Sequence, residues 1–223
     1  MKIISKTIKL LSLFLVAVVI VSCSDDDDNN GPIPDPELNI VQTAVGNEDL
    51  SSLVAALGAA DGNLVNVLSG SGPFTVLAPT NAAFASFLSE NGFDTLEDVP
   101  TDVLSQVLLN HVISQDVTSS DITGLGSGYL KTNALGAGGN TLSLFFNTTS
   151  GVIFNGFTSL LTADINASNG TIHVVDQVIG LPSIVDHAIY NPNFSSLTAA
   201  LIAEGLVEAL DGEGPFTVLA PVN

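Results

Sequence analysis

Residues 72–79 read Gly72-Pro73-Phe74-Thr75-Val76-Leu77-Ala78-Pro79, and the same eight residues return as Gly214-Pro215-Phe216-Thr217-Val218-Leu219-Ala220-Pro221, 142 positions later. Working outward, Leu64-Val65 matches Leu206-Val207 at the same spacing. Further upstream the spacing becomes 144. There Ser51-Ser52-Leu53-Val54-Ala55-Ala56-Leu57 faces Ser195-Ser196-Leu197-Thr198-Ala199-Ala200-Leu201, and Ile40-Val41 faces Ile184-Val185. The difference of two is absorbed between residues 58–63 and the shorter run 202–205. Solenoid repeats run about 20–50 residues, so this period is too long for one and has the size of a whole domain. The expectation is a complete domain over 37–182, followed over 183–223 by the opening of a second, in a natural protein longer than this chain.

Inside the repeat unit, helical and strand patterns are segregated. Ile40, Val41, Ala44 and Val45 have helical spacing, as do Leu53, Ala56, Leu57 and Ala60. Phe74 to Leu77 reads as a short buried strand closed by Pro79. Thr80-Asn81 predicts a helix cap before residues 82–88, and Thr101 a second cap before a face made of Val103, Leu104, Val107 and Leu108. From Val112 onward, apolar and β-branched runs alternate with Gly and Asn: 142–146, 152–154, 159–165 and 171–179. Helices first and antiparallel strands later define an α+β fold class.

Composition narrows the function. The 223 residues are 46% apolar, enough for a packed core, with 23 acidic residues against four Lys and no Arg, for a net charge of −19. Nucleic-acid binding needs phosphate-neutralising cations, and this chain lacks them. A single Cys cannot form an internal disulfide or a Cys-rich zinc site. His111, His173 and His187 have no metal-ligating spacing. No metal and no cofactor is expected.

The N-terminus reads as a targeting segment. Lys2, Lys6 and Lys9 precede an apolar run over 10–21 that is short for a membrane span, which takes about 20 residues. The run ends Ile20-Val21-Ser22-Cys23, which resembles a bacterial lipobox and marks residues 1–22 as a lipoprotein signal peptide with Cys23 as the lipidation site. A plain signal with an incidental Cys and an uncleaved helix both stay open. Residues 23–36, with Asp25-Asp26-Asp27-Asp28-Asn29-Asn30-Gly31-Pro32, form a flexible acidic tether. The Ser-plus-acidic start resembles the surface-export signal of Bacteroidetes-type lipoproteins. The expected location is secreted and lipid-anchored at the outer membrane or cell surface, with the membrane reached through that lipid only.

A second signature, Asn169-Gly170-Thr171-Ile172-His173-Val174-Val175-Asp176-Gln177-Val178-Ile179, lies downstream of the first, Gly72 to Phe84, with His111 between them. The pair, in this order, resembles the fasciclin-like domain of the periostin and beta-Ig-H3 type. The resemblance spans roughly 37–182 plus the partial copy. It departs at Asn110-His111, where the family usually has Tyr-His. It implies a wedge of two β-sheets with flanking helices, an extracellular adhesion or binding module often in tandem, and no catalytic centre. It also implies adhesion at an Asp-Ile pair, here Asp164-Ile165.

Read from the residues themselves, the signatures are structural. Gly72-Pro73 sets a turn into the strand that carries Phe74, Asn169-Gly170 is a hairpin signal, and His173 and His111 are hydrogen-bonded packing residues. Asp176 and Pro79 belong to the same structural signature. Alternation buries Ile165 and exposes Asp164. Asn110, His111, Asp164 and Ile165 are the candidate adhesion residues. No G-x-S-x-G, H-E-x-x-H, P-loop or G-x-G-x-x-G motif occurs, so the chain is read as no enzyme. The function that follows is a surface-anchored adhesion module for an extracellular protein or polysaccharide. The alternatives are a structural spacer of the envelope and, less favoured, a glycan-active enzyme.

Overall fold

The computed structural model describes residues 37–212 and 214–223. The signal over 1–22, the lipidation site Cys23 and the tether over 23–36 lie outside the described residues.

The chain enters through a helical layer. Helix α1 (Ile40–Val45) starts at Asn39, whose side chain accepts the Gln42 N–H while Gln42 accepts the Asn39 N–H, a closed capping box. A 3-10 turn (Glu48–Leu50) leads into α2 (Ser51–Ala59) and α3 (Leu64–Leu68). Strand β1 (Phe74–Pro79) follows, then α4 (Asn81–Glu90), capped by Thr80 as its sequence predicts. Helix α5 (Thr101–Leu109) comes next, then β2 (Val112–Ile113), α6 (Ser119–Leu125), β3 (Ser127–Leu135), β4 (Thr141–Asn147), β5 (Ile153–Phe154), β6 (Thr158–Ala167) and β7 (Gly170–Val175).

The strands form one ribbon in the order β2-β1-β7-β6-β5-β4-β3. All neighbours are antiparallel except β1 and β7, which run parallel from Phe74↔Gly170 to Pro79↔Val175. The long β6 pairs with β7 along one part and with the short β5 at its start, so it joins two sheet halves. The far ends come back together: Ser114 beside β2 donates to Asn133 of β3 at 2.9 Å. This is the expected wedge of two sheets. Its outer face packs Ile172 and Val174 on Leu53, Leu57, Phe84, Leu104 and Leu108 of the helices. Its interior holds Leu77, Ile113, Ile122, Leu144, Phe146, Phe154 and Val175. Strands β1 and β7 are therefore buried on both faces, which explains their near-continuous apolar runs.

Three expectations need correction. Thr101 is not a cap: Pro100 holds that position, and the Thr101 hydroxyl donates to the Asp61 carboxylate at 2.7 Å. Val103 lies off the buried face, 41% exposed, because the core stripe of α5 runs through Leu104, Val107 and Leu108. The region after Val112 is not strand alone, since α6 interrupts it. Its signal is Thr118-x-x-Asp121, where the Asp121 side chain accepts the Thr118 N–H and the Thr118 hydroxyl accepts the Asp121 N–H.

After β7 the helical layer is written a second time as α7 (Ile184–Tyr190), a 3-10 turn (Pro192–Phe194), α8 (Ser195–Ala203) and α9 (Val207–Leu210). The repetition reaches individual hydrogen bonds. The Ser183–Asp186 capping box stands where Asn39–Gln42 stands. Asn81 accepts the Ser52 N–H and donates to the Glu48 carbonyl; Asn223 accepts the Ser196 N–H and donates to the Pro192 carbonyl. Helix α7 also seats on β3, where Asn191 donates to the Tyr129 hydroxyl at 2.9 Å and the His187 ring meets Tyr129 edge-on.

Candidate functional site

The β6–β7 ladder carries the candidate residues Asp164 and Ile165. Between the pairs Thr162↔Val174 and Ile165↔Ile172, β6 spends three residues where β7 spends two, so one residue is extra. That bulge holds Asp164 at φ +56°, a left-handed conformation that Asp tolerates better than most side chains. The bulge turns the Asp164 N–H toward the ring of His173, whose Nδ1 accepts it at 3.2 Å. The opposite ring nitrogen, Nε2, lies 2.9 Å from the Val117 carbonyl and donates to it. His173 is fully buried, and this pairing places a proton on Nε2 and leaves Nδ1 as the acceptor. The 4.0 Å approach of Asp164 Oδ1 to His173 Nδ1 is therefore not an ion pair, because that nitrogen carries no proton.

The Asp164 carboxylate reaches across to the first turn of α6. It accepts the Ser119 N–H at 2.8 Å and the Ser119 hydroxyl. The hydroxyl, then the amide, hold its carboxyl below the usual carboxylate range, so it is ionised. Its side chain is still 39% exposed. Ile165 is half-buried against the helical core, as alternation predicts for the outer-face register it shares with Ile172. The loop before α6 is fastened to the same sheet. Thr75 donates to the Gln115 carbonyl and accepts the Val117 N–H, and Thr171 donates to Asp116. These bonds fasten the loop before α6 to the sheet, and Asp121 of α6 lies near enough to Asp164 for the two charges to interact.

The other candidates fall into place as follows. Asn110 and His111 are buried at 0% and 1% exposure and offer no side chain to a partner. Asn110 donates to the Gly180 carbonyl and accepts the Thr132 hydroxyl, tying α5 to β3 and to the exit of β7. His111 Nδ1 donates to the Val107 carbonyl, and its Nε2 accepts the Ile179 N–H. Asp176 accepts the Ser159 N–H at 2.7 Å and locks the β6–β7 end. Gly72 has φ +62°, and a Cβ there would stand 2.2 Å from the Asn169 carbonyl oxygen, so the turn before Pro73 and Phe74 needs glycine. Pro79 closes β1 opposite Val175.

One residue central to the assembly reads in the sequence as a mere turn signal. Asn169 accepts the Ile40 N–H and donates to the carbonyls of Leu68 and Gly70, while its own carbonyl accepts the Phe74 N–H. One side chain thus joins α1, the end of α3 and the β6–β7 turn. Its only sequence signal is its place before Gly170. Among the described residues there is no grouping of His, Cys, Asp and Glu able to hold a metal ion, and no helix long and apolar enough to cross a membrane.

A helical layer over a two-part sheet with a parallel β1–β7 centre defines an α+β module. The family model for the Fasciclin domain matches residues 48–182, and the chain belongs to the fasciclin domain family. Protein sll1483 of Synechocystis sp. is 40% identical over 65% of this chain and 74% of its own length. Human periostin is 30% identical over 70% of this chain, which spans only 18% of periostin. A solved FAS1 domain pair from the insect cell adhesion molecule Fasciclin I aligns with a TM-score of 0.48 at 18% identity, covering 75% of this chain and 57% of that one.

Proposed function

We propose that this chain is a non-catalytic adhesion module, held at the outer surface of a Bacteroidetes-type cell envelope by lipid on Cys23, that recognises an extracellular protein or polysaccharide. The observation that carries the reading is the Asp164 bulge: an ionised, exposed carboxylate beside a half-buried Ile165, on a platform fastened by Ser119, His173 and Thr171. Rigid placement lowers the cost of ordering a contact on binding. The test is a glycan and matrix-protein array probed with the soluble chain. On the partner so found, Asp164→Ala is expected to weaken binding at least about tenfold, as removal of a charged hydrogen-bonding group does. It also costs about 1–2 kcal/mol of stability, because two Ser119 hydrogen bonds go with it. Ser119→Ala keeps the carboxylate and its bond to the Ser119 N–H but loosens it, and is expected to lose stability while weakening binding much less than Asp164→Ala does. Unaltered binding by folded Asp164→Ala removes this site.

Lipid anchoring has its own test. Cys23→Ser is expected to move the protein from the membrane fraction to the soluble one, and an unchanged partition overturns the assignment.

Residues 37–182 form one fasciclin unit in this reading, and 183–223 begin a second. Supporting it are the shared capping boxes and the two Asn clamps at Asn81 and Asn223. The same repetition favours a second role as an envelope spacer, in which units are strung outward. Uniform failure on the array, with intact surface display, would select it.

A further inference from the structure

The dipeptide Asn-Gly occurs three times among the described residues, at 91–92, 155–156 and 169–170, and each copy stands in a different environment. Asn155 is buried at the turn after β5; its side chain accepts the Phe145 N–H at 3.0 Å, and its own N–H donates to the Phe145 carbonyl at 2.8 Å. Asn169 is buried, with its side chain bonded to Ile40, Leu68 and Gly70. Asn91 is exposed, at the C-terminal end of α4. Its Nδ2 donates to the Phe87 carbonyl at 2.8 Å and its N–H to the same carbonyl at 3.2 Å. The Gly92 N–H reaches the Ser89 carbonyl at 3.3 Å. Gly92 has φ +73°, and no atom lies within 4 Å of where a Cβ would stand.

We propose that Asn91 is a site of covalent self-modification, converting to aspartate or isoaspartate while Asn155 and Asn169 stay intact. The Gly92 nitrogen attacks the side-chain carbonyl carbon of Asn91. An N–C bond forms, and the Nδ2 group leaves as ammonia, carrying the proton that the Gly92 amide gives up. Water then opens the five-membered imide. Cleavage of its side-chain bond leaves aspartate, and cleavage of its main-chain bond leaves isoaspartate. With water as the one co-reactant, no electrons are exchanged. The structure selects among the three pairs through the cost of ring closure. Asn91 has ψ 3°, which holds the Gly92 nitrogen away from the side-chain carbon, so the Asn91–Gly92 peptide has to rotate first. That rotation gives up the Gly92–Ser89 bond and the adjoining bond from the Phe93 N–H to the Leu88 carbonyl. Both close the exposed last turn of a helix, where local opening costs least. At Asn155 the same rotation disturbs the paired β4 and β5, and at Asn169 the parallel β1–β7 ladder. The product cannot donate to the Phe87 carbonyl. It also puts a new carboxylate at the negative end of the α4 dipole, between Glu90 and Asp94 in the chain, so the last turn loosens.

The full chain is held at mildly alkaline pH and 37 °C for weeks, and the conversion at each asparagine is followed by peptide mapping with mass spectrometry. Mapping is the readout because a further pair, Asn30-Gly31, lies outside the described residues. Asn91 is expected to convert at least about tenfold faster than either Asn155 or Asn169, a ratio that a modest difference in local opening supplies. In concentrated urea, where the fold is gone, the three pairs are expected to convert at similar rates. No conversion at Asn91, conversion no faster than at the buried pairs, or a lead for Asn91 that persists undiminished in urea overturns the proposal. The consequence for α4 is read separately with Asn91→Asp, which installs one product directly. Amides 89–93 of that variant are expected to exchange hydrogen at least about threefold faster than in the parent, with 76–78 of β1 unchanged. Equal exchange at 89–93 removes the claim that modification loosens the helix end.

Discussion

Gly170→Ala is expected to cost about 4–5 kcal/mol, a large share of the roughly 5–15 kcal/mol by which a domain is stable. Gly170 has φ +146°, a region essentially closed to residues with a Cβ. The added methyl would also stand 1.8 Å from the Phe74 carbonyl oxygen and 2.8 Å from its amide nitrogen. Both obstacles are backbone atoms of β1, held in place by the parallel β1–β7 ladder, so no side-chain rotation relieves the collision. Relief requires separating β1 from β7, the two strands that both cores share. The measurement is the urea midpoint at pH 7.5. Gly58→Ala makes the contrast: Gly58 lies exposed in α2, a methyl added there meets nothing within 4 Å, and the change is expected to stabilise by about 0.5–1 kcal/mol. A Gly170→Ala protein within about 1 kcal/mol of the parent would mean that the ladder yields far more easily than its burial implies.

The features most legible in the sequence are those set by local chemistry. The apolar run of β1 announces burial on both faces, and Thr80 reads as a cap because the Ala83 N–H lies three residues on, within reach of its hydroxyl. Strand β3 is hard to read because Gly128, Lys131 and Asn133 dilute its pattern, and its structure depends on β4. Helix α6 is hidden because Gly124 and the β-branched Ile122 and Thr123 lower its intrinsic propensity; its capping box and the buried Ile122 outweigh them. The site shows the same division. Alternation along β6 assigns Ile165 inward and Asp164 outward, but the bulge that orients Asp164 depends on one extra residue against β7, a count that needs both strands. That His173 receives the Asp164 N–H, and that Ser119 occupies the carboxylate, are consequences of this bulge. Asn169 illustrates the limit most clearly, since its three side-chain partners lie 99 to 129 residues away.

The second large effect is an acid-labile core centred on His111. Burial is the main cause that drives its pKa down to about 4; the hydrogen bond to the Val107 carbonyl acts in the opposite direction and is outweighed. With Nδ1–H committed to Val107, Nε2 must stay bare to accept the Ile179 N–H at 2.8 Å, and a proton there would set two donors face to face. In the unfolded chain the same imidazole titrates near 6.5. The native state therefore holds fewer protons than the unfolded state between pH 6.5 and about 4. Stability is full above 6.5, falls as pH drops through that window, and levels off below the folded value. At 1.36 kcal/mol per pH unit, the separation amounts to about 3 kcal/mol. Burial also lowers the pKa of His187, which adds to the loss with the same sign. Urea midpoints measured from pH 7.5 to 4 are expected to decline across this range. His111→Gln is expected to start lower at pH 7.5, by about 1–3 kcal/mol for the two disturbed hydrogen bonds, yet to lose most of the slope. The difference between parent and variant isolates His111 from His187 and the carboxylates. A variant whose decline matches that of the parent would show that acid lability arises elsewhere and that His111 is held as readily charged as neutral.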